Sequence, residues 1–171
     1  MVTRAPTRAA FEGMSTMREP FRTSFLSASV TAGPEEVWWI LAGGGEPGVE
    51  VLGAMLPDRQ LLSDWRPGSS VRLSAAGTDV YGTVLRATAP YRLTYTLGAP
   101  QPDGQDSTVI VTWEVQPAAD GGSVLMLAVD DLYPDGADDL RDAWASVLAE
   151  VRGRLEILAP PVGETPGSDR A

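Results

Sequence analysis

Asp130, Asp131, Glu114, Tyr81, Tyr95 and Arg141 are the side chains with which this chain could move a proton or steady a developing charge. The set is small because the sequence has no His, no Cys and no Lys. That excludes imidazole acid–base chemistry, Ser-His-Asp triads, thiolate nucleophiles and Schiff-base lysines. It also excludes disulfides and the usual zinc ligands. A buried carboxylate with a raised pKa could act as a base on an activated carbon acid. Asp131 ends the last strand-like segment, where a cavity mouth would lie. Glu114 alternates with the apolar positions around it and points outward. No pair among these residues has a spacing diagnostic of a reaction, so no catalytic residue is assigned.

The acidic run Asp130, Asp131, Asp135, Asp138, Asp139, Asp142 has the outline of a calcium loop. Counted from Asp131, however, the third position is Tyr133 and the twelfth is Asp142. An EF-hand wants an oxygen ligand at the third and a bidentate Glu at the twelfth. The run reads as helix capping and solvated surface, and neither a metal nor a cofactor is expected.

The aromatic residues point to binding. Trp65, Tyr81, Tyr95, Trp113 and Trp144, with Leu148 and Asp131, are the candidate lining of a site for a small apolar molecule. Large ring faces suit such a ligand, with a few polar groups setting its orientation. The competing reading is that they are ordinary core. Met126 is out of phase with Leu125 and Leu127 and belongs on the outer face. Trp39 lies opposite Val37 and Leu41 on its helix; it is either buried under a loop or the anchor of a homodimer or partner contact.

These side chains need elements to hold them. Residues 21–31 pattern as a strand. Pro34 then opens a helix at its first turn, with Glu35 and Glu36 at the positive end of its dipole, and Gly43–Gly45 stop it. Residues 46–68 carry no clear period; Val49–Leu56 and Asp58–Trp65 are expected to hold a short helix. Strand alternation follows at Val71/Leu73, Val80/Gly82/Val84, Leu93/Tyr95/Leu97, Val109/Val111/Trp113/Val115 and Leu125/Leu127/Val129. Short turns between them predict an antiparallel meander. Leu140, Ala143, Trp144, Val147, Leu148, Val151, Leu155 and Leu158 then mark one face of a long helix. The expected class is α+β, with residues 1–20 a disordered leader, 21–158 the domain and 159–171 a loose tail.

A net charge of −10 and the absence of any basic stripe argue against nucleic acid and anionic membrane. No apolar run reaches the roughly 18–20 residues of a membrane span, and no signal-peptide core follows the N-terminus. The expected location is the cytoplasm. All thirteen basic residues are Arg, which fits a bacterial, GC-rich coding sequence.

Order and wording of the segments resemble the SRPBCC (START-like) superfamily, and within it the branch named after the activator of the heat-shock chaperone ATPase. The resemblance rests on Gly33-Pro34-Glu35-Glu36-Val37-Trp38, Arg66-Pro67-Gly68, Tyr81-Gly82-Thr83-Val84 and Ala89-Pro90-Tyr91-Arg92-Leu93. Val111-Thr112-Trp113-Glu114-Val115, Asp120-Gly121-Gly122-Ser123-Val124-Leu125, and Trp144 with Leu148 and Leu155-Glu156 complete it. It covers residues 21–158 and departs around 43–64, which is short and Gly-rich here. It implies a helix-grip fold: a curved antiparallel sheet of about six strands wrapped around a long C-terminal helix, with one or two short helices after the first strand. It also implies a cavity for a lipid-, polyketide- or aromatic-metabolite-like ligand. The alternatives are a metal-independent cyclase- or hydrolase-like enzyme using Asp, Tyr and Arg, and a protein-interaction or chaperone co-factor module.

Overall fold

The computed structural model describes residues 22–43, 59–75, 78–100, 106–131 and 137–158. The segments 1–20, 159–171 and Val49–Leu56 and residues 132–136 of the acidic run lie outside the described residues. Element order is β1 (Arg22–Val30), α1 (Pro34–Ala42), β2 (Arg59–Ser63), β3 (Ser70–Ala75), β4 (Thr78–Thr88), β5 (Arg92–Pro100), β6 (Asp106–Pro117), β7 (Ser123–Asp131) and α2 (Ala137–Leu158). The strands form one open antiparallel sheet in the order β1-β7-β6-β5-β4-β3-β2. From β2 to β7 the sheet is a meander, as the turn signals predicted. β1 then pairs with β7, Leu26 facing Leu127 and Arg22 facing Asp131.

Seven strands stand where about six were expected. The additional one is β2, in the stretch read as a short helix over Asp58–Trp65. It is an edge strand of five residues that pairs only with β3, Leu61 opposite Leu73. Leu61 is buried while its neighbour Leu62 is half-buried on the other face. So short a segment shows too few alternations for its period to be recognised.

α1 forms as its sequence dictates. The Gly33 amide donates to Glu36 Oε2 at 2.9 Å, and Val37 N donates to the Gly33 carbonyl at 3.1 Å. Gly43 ends it at φ 60°, a conformation open to glycine at little cost. Val37, Ile40 and Leu41 are buried; Trp39 on the opposite side is 56% exposed.

The core lies on one face of the sheet. β7 alternates without a fault: Ser123, Leu125, Leu127, Val129 and Asp131 are buried, and the residues between them are half-buried. Across the sheet, Leu127 lines up with Trp113 and Leu93, and Val129 with Val111 and Tyr95. Val147, Leu148, Val151 and Leu155 of α2 join this cluster, together with the buried residues of α1. Glycine is required at position 82, because a Cβ there would stand 1.6 Å from the Thr96 carbonyl oxygen of the adjacent β5.

Candidate functional site

Six of the seven candidate residues lie on the inner side of the sheet, five of them buried. Tyr95 and Trp113 stand on β5 and β6, both 1% exposed. The Trp113 indole Nε1 donates to the Tyr95 hydroxyl at 3.3 Å. Trp65 meets Tyr95 edge-on, their ring centroids 5.6 Å apart and their planes at 64°. Leu148 is buried on α2, and Asp131 is buried on the inner side of β7, one residue pair beyond Val129. Trp144 packs against this cluster from α2 and is half-buried, so it borders the core and is not sealed within it.

Tyr81 is placed elsewhere. It is 55% exposed and lies on the outer face, where its hydroxyl donates to Asp79 Oδ2 at 3.1 Å. Arg72 Nη2 reaches the same oxygen at 2.7 Å, and Ser74 Oγ donates to Oδ1 at 2.7 Å. These bonds, that from Ser74 foremost, hold the Asp79 carboxyl below its ordinary range. Tyr81 is thereby tied to a surface cluster on the opposite side of the sheet from Tyr95. The reason is phase: Val80 packs against the core, Val84 is buried within it, and Tyr81 between them faces out.

Trp65 owes its position to a braced loop. Its backbone has φ 53°, the left-handed region that non-glycine residues avoid, at a cost of roughly 1–3 kcal/mol. Several bonds hold it there. Trp65 N donates to Ser63 Oγ at 3.1 Å. Arg66 to Ser69 forms a turn closed by Ser69 N to Arg66 O at 2.9 Å, with Pro67 second and Gly68 third at φ 86°, the type II signature. Gly68 N and Ser69 O then bond the Val84 backbone at 2.8 and 2.9 Å. Val84 pairs with Tyr95, so the loop is pinned beside the ring that Trp65 touches. Despite this bracing, Trp65 Nε1 is buried without a hydrogen-bond partner. Leaving a buried donor unpaired costs about 1–3 kcal/mol.

Burial raises the Tyr95 phenol well above its ordinary pKa, against a smaller lowering by the Trp113 hydrogen bond. Tyr95 is therefore a neutral donor at physiological pH and not a phenolate base. Ser63 and Ser69 escaped sequence reasoning. The Arg66-Pro67-Gly68-Ser69 turn was their visible signal, but which way it throws Trp65 depends on a φ that residue types do not specify.

The outer face carries a groove of about 300 Å³ lined by Phe25, Met126, Ala128, Thr112, Arg92 and Asp130, among others. Met126 lies there, as its phase predicted, and so does Glu114. Arg92 Nη1 pairs with Glu114 Oε1 at 3.1 Å, and Thr23 Oγ1 donates to Asp130 Oδ1 at 2.6 Å. Phe25, one wall, is 73% exposed. Arg92 Nε beside it is buried without a hydrogen-bond partner.

No family model matches the chain, and no curated protein sequence matches it. Solved structures do. Protein MLL2253 from Mesorhizobium loti superposes with a TM-score of 0.66 at 19% identity, over 81% of this chain and 100% of that one. The Aha1 dimer from Colwellia psychrerythraea gives 0.62 at 13% identity, over 80% and 97%. Norcoclaurine synthase from Thalictrum gives 0.58 at 12% identity, over 79% and 94%. The chain has the helix-grip fold of these structures. Identities this low establish the fold alone. Within this helix-grip domain no described helix is long and apolar enough to cross a membrane.

Proposed function

We propose that this helix-grip domain binds a small, largely apolar molecule, of lipid, polyketide or aromatic-metabolite type, between the inner face of its sheet and α2. The observation that carries the reading is the contact set Trp65–Tyr95–Trp113. Three large aromatic residues from three separate parts of the chain meet on the inner face, and a strained, heavily bonded loop positions one of them. Strain of this kind concentrates at ligand sites. Leu148 and Trp144 would complete the wall from α2, and Asp131 would stand at its polar end. The helix-grip norcoclaurine synthase in complex with a transition-state analogue supports the fold's capacity to hold a small molecule. Polar metabolites would lose more in desolvation at such a surface than they recover.

The test is native mass spectrometry of freshly purified protein, with intrinsic Trp fluorescence alongside. The expected result is a co-purified apolar molecule, or saturable quenching by apolar aromatic probes that sugars and nucleotides do not reproduce. Apolar probes binding no better than sugars would count against the reading.

A second reading has its own observation. Trp39 is exposed on α1 away from the core, which suits an aromatic anchor for a homodimer. The helix-grip Aha1 structure is a dimer. Sedimentation of the wild type and Trp39→Ser decides it: a dimer that the substitution dissociates supports the contact, and a monomer at every concentration removes it.

A further inference from the structure

We infer that Trp65 is a displaceable plug, whose indole seals the inner face of the sheet in this closed form and swings out to water to open it. This rests on the ligand-binding reading above and adds the step by which the site is reached.

The inner face is shut as it stands. Tyr95 and Trp113 are each 1% exposed and Trp65 5%, so a molecule reaches these rings only if a side chain gives way. Trp65 is the one least suited to stay. Among the described non-glycine residues it alone has a positive φ, at 53°. Its Nε1 is buried without a partner, and an indole can only donate, so nothing but an acceptor relieves it. Trp113 has neither fault, since its Nε1 donates to the Tyr95 hydroxyl. Outside, water would bond the Trp65 Nε1 and the backbone could return to negative φ. The burial of its apolar ring and the edge-on contact with Tyr95 hold it in. Strain and the orphaned donor oppose that gain, which leaves the outward state a minor population and not an inaccessible one.

The way out is short. Asp64, Arg66, Pro67 and Gly68 are all exposed, and Trp65 alone in that run is buried. The run leads from β2, an edge strand of five residues that pairs only with β3. Elements with so few contacts open before the rest of a domain. One bond acts as the latch. Upstream, Ser63 is paired with Val71 in the sheet. Downstream, Arg66 N donates to Ser69 Oγ at 3.1 Å, and Gly68 and Ser69 are bonded to the Val84 backbone. With the chain held on both sides, the Trp65 φ can relax only if the Asp64–Trp65 peptide plane turns. That turn breaks the 3.1 Å bond from Trp65 N to Ser63 Oγ. Ser63 is therefore a positioning residue that sets how often the plug opens.

The experiment labels the five Trp with fluorotryptophan and follows them by fluorine NMR, Trp65→Phe identifying the Trp65 signal. Relaxation dispersion and saturation transfer should show Trp65 exchanging with a minor state whose shift is that of fluorotryptophan in water, and Trp113 without such a state. Ser63→Ala should raise the minor population about 3–10-fold, the worth of one neutral hydrogen bond. Apparent affinity scales with the fraction of protein in the binding-competent state, so the fluorescent apolar probe aminoanthracene should bind Ser63→Ala tighter by the same factor. Weaker binding in Ser63→Ala would make Trp65 a fixed wall, overturning the plug and leaving the apolar site standing. Equal exchange at Trp65 and Trp113 would report global unfolding and overturn the plug as well. An exchanging Trp65 with no probe bound by either protein overturns the ligand-binding reading and this inference together. Should Ser63→Ala not fold, the wild-type spectrum decides, and a Trp65 signal without a minor state rejects the proposal.

Discussion

The inner and outer faces of β5, β6 and β7 are made by alternate residues of the same strands, yet they treat apolar and polar groups in opposite ways. On the inner face Tyr95, Trp113 and Leu127 are almost wholly withdrawn from water. On the outer face Thr112, Met126 and Ala128 floor an open groove whose wall, Phe25, is mostly exposed. On the outer face Arg92 pairs with Glu114 and Asp130 accepts from the Thr23 hydroxyl, while Arg92 Nε is left without a partner in a half-buried side chain beside the groove. On the inner face the unpartnered donor, the Trp65 indole, belongs to a buried side chain. A concavity is therefore a poor guide to a site in this protein. Unmet hydrogen-bonding demand in a dry environment says more, because water cannot supply it without entering.

Core truncation should separate the two faces most widely. Trp113→Ala is expected to cost roughly 3–5 kcal/mol in a denaturant titration, and Phe25→Ala to stay within about 0.5 kcal/mol. Similar losses from both would mean that the outer face is covered in solution. On β7 the contrast is between neighbours: Leu127→Ala should cost about 2–5 kcal/mol and Met126→Ala clearly less. Trp144→Ala should fall below Trp113→Ala, because Trp144 is only half-buried.

Alkaline pH sharpens the comparison through Tyr95. Its phenol is raised in the folded protein relative to the unfolded chain, so folding favours the protonated form. That stability is fully present below the unfolded pKa of about 10 and is lost as pH rises beyond it. Wild-type protein should lose stability above about pH 10 more steeply than Tyr95→Phe. Parallel pH profiles would show that Tyr95 is not sealed. A small effect is expected on the outer face: Glu114→Gln should change stability by less than about 1 kcal/mol, as usual for a partly exposed ion pair, and high salt should abolish the difference.

Much of this arrangement was legible beforehand, for physical reasons. The period of two in β7 and the helical spacing from Val147 to Leu155 follow directly from which face is buried, so the helix face and the outward positions of Met126 and Glu114 could be read, and the short turns gave the meander. Tyr81 was named among the site residues on its aromatic type, although the phase of Val80 and Val84 already sent it to the outer face. β2 was invisible because a strand of five residues shows too few alternations for its period to stand out. Trp65 was named for the site on its aromatic type, but the left-handed backbone that turns it inward was out of reach, since its residue type rarely adopts one. Its unpaired nitrogen is a property of the folded packing and leaves no trace in composition or spacing.

A fluorescence titration with an apolar aromatic probe, run on the wild type, Leu148→Phe and Phe25→Ser, tests the central claim most directly. Leu148→Phe adds bulk between α2 and the sheet, and Phe25→Ser erases one wall of the outer groove. Inner-face binding predicts saturable quenching in the wild type, a weaker affinity in Leu148→Phe and an unchanged one in Phe25→Ser. Loss of binding in Phe25→Ser with full binding in Leu148→Phe would put the ligand on the outer face and contradict the account.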